Sequence, residues 1–121
     1  MVILDSNIII YSTKPKYPSL RRLLAQESIC VSVISLVEVM GFHKITVSDK
    51  SELEAFFNVT QTLPMSNEIA DTAIRLKQAR KMSLGDSLIA AILNNFALVT
   101  NNTKDFQWID SLTIINPFDE Q

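Results

Sequence analysis

The feature that most restricts this chain is its alternation of short, wholly apolar runs with stretches whose apolar residues recur every three or four positions. Val2 to Leu4 and Ala97 to Thr100 are the strongest such runs. Both are bounded by polar residues, and both read as strands of a parallel sheet, apolar at successive positions because each face is covered. Ile29 to Val33 and Leu112 to Ile115 are weaker candidates, and a strand near Gln61 to Leu63 would complete the set. Between them lie helical patterns: Leu53, Phe56 and Phe57; Ile69, Ala73 and Leu76; Leu88, Ile89, Ile92, Leu93 and Phe96. Such alternation implies an α/β fold with helices on both faces of a mainly parallel sheet of four to five strands. Ser48 and Asp49, with Glu52 three residues after Asp49, mark one helix start, and Ser66 or Asn67 marks the next.

With 121 residues and 47% hydrophobic content the chain can bury one core and is too short for two, so a single domain over 1–121 is expected. Asp119 to Gln121 are expected to fray. The apolar stretches Met1 to Leu4 and Ile8 to Tyr11 are cut by Asp5, Ser6 and Asn7, far short of the roughly 18 residues of a membrane span. The start lacks the basic, apolar and small-residue sections of a secretory signal, and Cys30 alone can form no internal disulfide. A cytoplasmic protein without membrane contact is the expectation. Gly41 and Gly85 are the only glycines, which removes the glycine-rich phosphate cradles of dinucleotide and P-loop sites. A net charge of −2 argues against gripping nucleic acid by bulk electrostatics, although a carboxylate metal site itself adds negative charge that cations would offset.

Ligands of open parallel sheets bind beyond the carboxyl ends of the strands, which directs attention to acids placed there. Asp5 closes the first strand and equally suits a helix N-cap for residues 7–12. Glu38, in Ser35-Leu-Val-Glu38, fits a capping box, yet it stands among Val37, Val39 and Met40, where burial without a partner would be costly. Asp86 follows Gly85 and opens a helix over 87–96, favourable for the helix dipole. Asp105 follows the strand ending at Thr100 and also reads as an exposed loop residue. If the strands are parallel, several of these acids reach one edge of the sheet. A cluster of carboxylates repels itself unless a cation is bound, and oxygen ligands without His or Cys suit Mg²⁺ or Mn²⁺. Such an ion can acidify water for attack on phosphorus.

Four segments carry a resemblance: Ile3-Leu-Asp5-Ser-Asn7-Ile-Ile, Ser35-Leu-Val-Glu38-Val, Leu84-Gly-Asp86-Ser-Leu-Ile-Ala-Ala91, and Val99-Thr-Asn-Asn-Thr-Lys-Asp105-Phe106. In order and spacing they resemble PIN-domain ribonucleases, in particular the toxin half of VapBC-type toxin–antitoxin pairs, over nearly the whole chain. The resemblance implies a three-layer α/β/α sandwich and a Mg²⁺- or Mn²⁺-dependent endoribonuclease with an acidic pocket of Asp5, Glu38, Asp86 and Asp105. It makes Asp5 and Asp86 direct or water-bridged metal ligands. Glu38 would share a metal or orient water, Asp105 would hold a second, weaker site, and Asn7, Thr100 and Asn102 would be supporting hydrogen-bonders. It further implies a homodimer and a small antitoxin whose tail plugs the cleft with a basic side chain. A surface kept apolar for that partner would account for the positive mean hydropathy of +0.18. Many relatives have Arg after the threonine of the last segment, where this chain has Asn101.

Lys14, Lys16, Arg21 and Arg22 form one basic stretch, and Arg75, Lys77, Arg80 and Lys81 form another. Either is a solvated face or, where a cleft opens beside it, a set of RNA phosphate contacts, to which the first stretch is assigned. His43, the sole histidine, has no relay partner and reads as structural; Cys30 reads as buried. Trp108 and Phe106 suit core packing better than base stacking.

Three other functions compete. A phospho-acceptor receiver domain wants adjacent acids after the first strand and a mid-chain aspartate, but Ser6 follows Asp5 and the middle offers Glu54, Asn58 and Val59. An aspartate-nucleophile phosphatase wants a second Asp where Asn7 stands. A PIN-like RNA- or protein-binding module without catalysis would have a broken acidic set.

Overall fold

The computed structural model describes residues 1–92 and 96–118. Leu93, assigned above to a helical face, and the fraying expected of 119–121 lie outside the described residues. In chain order the elements are β1 (Val2–Leu4), α1 (Ser6–Ser12), α2 (Pro18–Gln26), β2 (Ile29–Ser32), α3 (Val33–Met40), α4 (Val47–Asn58), β3 (Gln61–Leu63), α5 (Asn67–Ala79), α6 (Leu84–Ala91), β4 (Ala97–Val99), a 3₁₀ turn (Thr103–Asp105) and β5 (Thr113–Ile115).

All neighbouring strands are parallel, in the order β3-β2-β1-β4-β5. The alternation of side chains along β1 shows how the layers form. Val2 and Leu4 join Val31 and Val99 against Ile8, Ile9 and Leu20 of α1 and α2, Val39 of α3, and Leu53 and Phe57 of α4. Ile3 points the other way, with Cys30 and Leu98, against Ile89 of α6 and Phe106. Ile69 of α5 packs at the border of this second cluster. The result is the expected α/β/α sandwich. Each fully buried Leu or Ile contributes roughly 1.5–3 kcal/mol, so these two clusters provide most of the favourable burial energy.

Helix starts other than that of α2, which opens at Pro18, follow side-chain caps, and those of α4 and α6 differ from expectation. Thr46, not Ser48 or Asp49, caps α4, accepting from the Asp49 amide at 3.1 Å. Ser83 caps α6 by accepting from the Asp86 amide at 3.1 Å, so that helix begins before Gly85 rather than after it. A glycine in the first turn costs less than one in mid-helix, so it does not mark the boundary there. Ser66 caps α5 as expected. Among the described residues no helix is long and apolar enough to cross a membrane.

Strand order reverses at the centre of the sheet. The chain steps from β1 outward through β2 to β3, then returns to place β4 on the other flank of β1. A crevice opens outside the carboxyl ends of β1 and β4, where open α/β sheets bind ligands.

Candidate active site

Asp5 is the first residue after β1. It caps α1, with Oδ1 accepting from the Ser6 amide at 2.8 Å, while Oδ2 accepts from Thr100 Oγ1 at 2.8 Å. Thr100 stands in the same place after β4; it is buried, and its Oγ1 also accepts from the Asn102 amide at 3.0 Å. Asp5 is only 7% exposed, yet both its oxygens are partnered. Cap and cleft acid are thus one residue, and the two readings of Asp5 do not exclude each other.

Glu38 comes from α3. The cap of that helix is Ser32, which accepts from the Ile34 amide at 3.0 Å, so Ser35 and Glu38 form no capping box. Glu38 is also exposed rather than buried among its apolar neighbours, because α3 turns Val39 into the core and Val37 and Glu38 outward. Ser6 Oγ donates to Glu38 Oε1 at 2.7 Å and shares a hydrogen bond with Ser35 Oγ at 3.0 Å. Ser6 and Ser35 were missed in the sequence; the one signal was the hydroxyl directly after the strand-closing Asp5. Across the gap lies Gly85 of α6, where a Cβ would sit 2.5 Å from Glu38 Oε2. The absent side chain makes the space the carboxylate occupies.

Asp86, in the first turn of α6, completes one side of a cleft of about 410 Å³ lined by Asp5, Ser6, Asn7, Glu38, Asp86 and Asn102, with apolar Ile10, Val39 and Phe42 at one end. Asp105 lies in the 3₁₀ turn, where its Oδ2 accepts from Asn102 Nδ2. It lines an adjoining pocket of about 440 Å³ together with Asp86, Arg80, Lys81, Lys104 and Trp108. Asp86 is common to both.

Asp5 and Asp86 feel the neighbouring acids. Burial pushes the Asp86 carboxyl up to about 6, reinforced by the charges of Asp5, Asp105 and Glu38 and opposed by a hydrogen bond from the Ser83 side chain. Burial likewise raises Asp5, with smaller contributions from Glu38 and Asp105, against the hydrogen bonds from Thr100 and Ser6. Mutual repulsion of this kind is relieved by a cation.

Among the described residues no three carboxylate, His or Cys side chains converge closely enough to enclose an ion unaided. The donor set still fits a hard cation: every donor is oxygen, and Mg²⁺ usually keeps several waters while one or two carboxylates and substrate phosphate complete its shell.

The first basic stretch stands away from this cleft. Lys14 pairs with Asp49 at 3.5 Å, Lys16 lies 5.4 Å from the Tyr17 ring centre, Arg21 donates to the Lys14 carbonyl at 3.3 Å, and Arg22 is exposed on α2. Lys14 lines an adjoining groove with Ile10, Phe42 and Lys44. The cations that share a pocket with Asp86 and Asp105 are instead Arg80 and Lys81 of the second stretch and Lys104, which the sequence did not single out. Trp108 lines that pocket, whereas Phe106 is fully buried. His43 is exposed and lies tilted against Phe42 with ring centres 5.4 Å apart.

A model of the PIN domain family matches residues 2–111. The chain belongs to the PIN domain family. Among solved structures, this PIN domain is similar to a chain of a toxin–antitoxin complex from Klebsiella pneumoniae, with a TM-score of 0.80, 26% identity and coverage of 97% of this chain and 98% of the other. It is similar to one in VapBC2 from Rickettsia felis bound to a promoter DNA fragment, with a TM-score of 0.76, 27% identity and coverage of 96% and 98%. DNA-bound VapBC from Salmonella typhimurium gives 0.80, 25%, 97% and 99%. No match was found among curated proteins. The fold is thus that of VapC-type PIN toxins.

Proposed function

We propose that this PIN domain is a divalent-metal-dependent endoribonuclease, the toxin of a type II toxin–antitoxin pair, with Asp5, Glu38, Asp86 and Asp105 as its acidic centre. The observation that carries the reading is the meeting of acids from four distant chain segments where strand order reverses, with the Asp5 and Asp86 carboxyls raised by burial and, to a lesser degree, by the charges of the other acids. Asp5 and Asp86 would hold Mg²⁺ or Mn²⁺ directly or through water, with Glu38 sharing that ion or orienting water and Asp105 serving a weaker second site. When bound, the ion supplies charge neutralisation for the phosphodiester and acidifies water for the attack on phosphorus.

The chain's own residues provide the rest. Thr100 and the Ser6 amide fix both oxygens of Asp5, so its orientation is set before substrate arrives. Ser6 holds Glu38 facing the cleft, and Asn7 and Asn102 offer amides at its wall. Orientation prepared in advance lowers the reorganisation needed at the reaction step.

An antitoxin is the proposed protein partner. Its support is the likeness to the Klebsiella and VapBC complexes, and the exposed Ile10, Val37 and Phe42 beside the acids, apolar surface that a partner would cover. A homodimer is also proposed, supported by exposed Ile74 and Leu84 on the packed pair α5 and α6. Sedimentation of the purified chain tests it, and a monomer at micromolar concentration would remove it.

The test of catalysis uses structured RNAs with Mg²⁺ or Mn²⁺, with and without chelator, and the variants Asp5→Asn and Asp86→Asn. Cleavage should vanish with chelator and fall at least 10²-fold in each variant, the order of loss when a principal charge-stabilising group goes. Cleavage indifferent to both defeats the proposal.

A further inference from the structure

A polymeric substrate must be held on both sides of the bond that breaks, and the cleft of Asp5 and Glu38 offers mainly negative charge. The adjoining pocket differs. Arg80, Lys81 and Lys104 converge there in a chain whose net charge is −2. Among the described residues Lys81 and Lys104 have no ion-pair partner within 4.0 Å, the one ion pair being that of Lys14 with Asp49. Lys104 therefore stays uncommitted although Asp105 lines the same pocket.

The wall beside these cations is aromatic. Trp108 Nε1 donates to the Asp105 carbonyl at 3.1 Å, which sets the plane of the indole without a ligand. The exposed guanidinium of Arg80 lies over its ring at 5.6 Å. A half-buried indole with a fixed plane, two uncommitted ammonium groups and a pocket of about 440 Å³ match the needs of one nucleotide: a π face for any base and positive charge for its phosphate.

We propose that Arg80, Lys81, Lys104 and Trp108 form a subsite for one nucleotide of single-stranded nucleic acid, next to the phosphodiester that Asp86 faces. Lys81 and Lys104 take the phosphate. The base stacks on Trp108, and Arg80 yields its place over the indole and turns to the backbone. This subsite rests on the nuclease reading for its place beside the reacting bond, but binding to it needs neither metal nor cleavage. Single-strandedness follows from the stacking, since a base inside a duplex has both faces covered by its neighbours and none to offer the indole.

Trp108 is the only tryptophan, so selectively excited tryptophan emission reports this pocket alone. Short oligouridylate RNA, oligothymidylate DNA and a duplex of equal length are titrated into the whole chain in chelator. The single strands are expected to quench Trp108 saturably, and the duplex is not. Lys81→Glu with Lys104→Glu, two surface changes, should weaken single-strand affinity at least tenfold and flatten its salt dependence. Anisotropy of a labelled oligonucleotide should show Trp108→Ala weakened roughly five- to 150-fold, the range that base stacking commands, with Trp108→Phe restoring most of it. No quenching by either strand, equal quenching by duplex, or wild-type affinity in the double lysine variant each overturns the subsite. Quenching without cleavage when Mg²⁺ or Mn²⁺ is restored removes the nuclease and leaves the subsite. Cleavage without quenching does the reverse.

Discussion

Gly85→Ala should separate activity from stability in this protein. Gly85 is the second residue of α6, capped by Ser83, and a helical glycine replaced by alanine gains up to about 1 kcal/mol. The new Cβ would lie 2.5 Å from Glu38 Oε2, and ordinary contact begins at 3.4 Å, so the carboxylate must retreat by roughly 0.9 Å. What it meets is the end of a flexible, exposed side chain, which can move at little cost beyond its hydrogen bond with Ser6, ~0.5–1.5 kcal/mol. The two contributions nearly cancel. A displacement near 1 Å in a positioned group, by contrast, costs about 10²-fold in rate. Urea unfolding should therefore give a stability within about 1 kcal/mol of wild type, and initial rates of RNA cleavage in Mn²⁺ should fall about 10²-fold. Gly41→Ala is the contrast, because its Cβ meets the Val37 main-chain carbonyl at 2.5 Å, which cannot rotate away, and there stability falls. Unchanged cleavage by Gly85→Ala would refute the claim that this glycine makes room for a working Glu38.

Three further outcomes follow from the same contacts. Thr100→Val leaves a buried Asp5 oxygen and the Asn102 amide without their partner, which should cost about 1–3 kcal/mol in urea and raise the Asp5 pKa further; a neutral change would contradict the network. Asp86 is raised in the fold, so the unfolded chain releases its proton first and metal-free stability declines as pH climbs from the ordinary 3.8 through about 6. Thermal melts in chelator should show that decline relative to Asp86→Asn, and Mg²⁺ should raise the melting temperature more at pH 7.5 than at pH 5; identical profiles would refute it. Ser6→Ala should cut cleavage about tenfold with little change in stability, and a fully active variant would remove Ser6 as the group that positions Glu38.

Much of the fold was legible because parallel strands covered on both faces read as unbroken apolar runs. Val2–Leu4 was read to the residue, and Gln61–Leu63, a weak pattern, was supported by the need to complete the sheet. The helix starts were harder. Thr46 and Ser83 are one hydroxyl among several nearby, and which one caps depends on the backbone angle at which the chain enters, not on local composition. Glu38 illustrates a related limit: its apolar neighbours suggested burial, but α3 buries the face of Ser35 and Val39 and leaves Val37 and Glu38 exposed. The acids were found because strand ends can be read from sequence. The cations could not be placed, since Lys104 and Arg80 lie 24 residues apart (104 − 80) and meet only through the packing of the 3₁₀ turn beside the end of α5.

Carbon-13 carboxyl NMR of Asp86, titrated in chelator and again in Mg²⁺, measures together its burial beside the other acids and the relief a cation brings. The metal-free carboxyl should titrate near 6 and drop well below that when Mg²⁺ is present. A midpoint near the ordinary 3.8 that ignores Mg²⁺ would mean that Asp86 is neither buried beside the other acids nor bound to a cation, and the account of the site would be wrong.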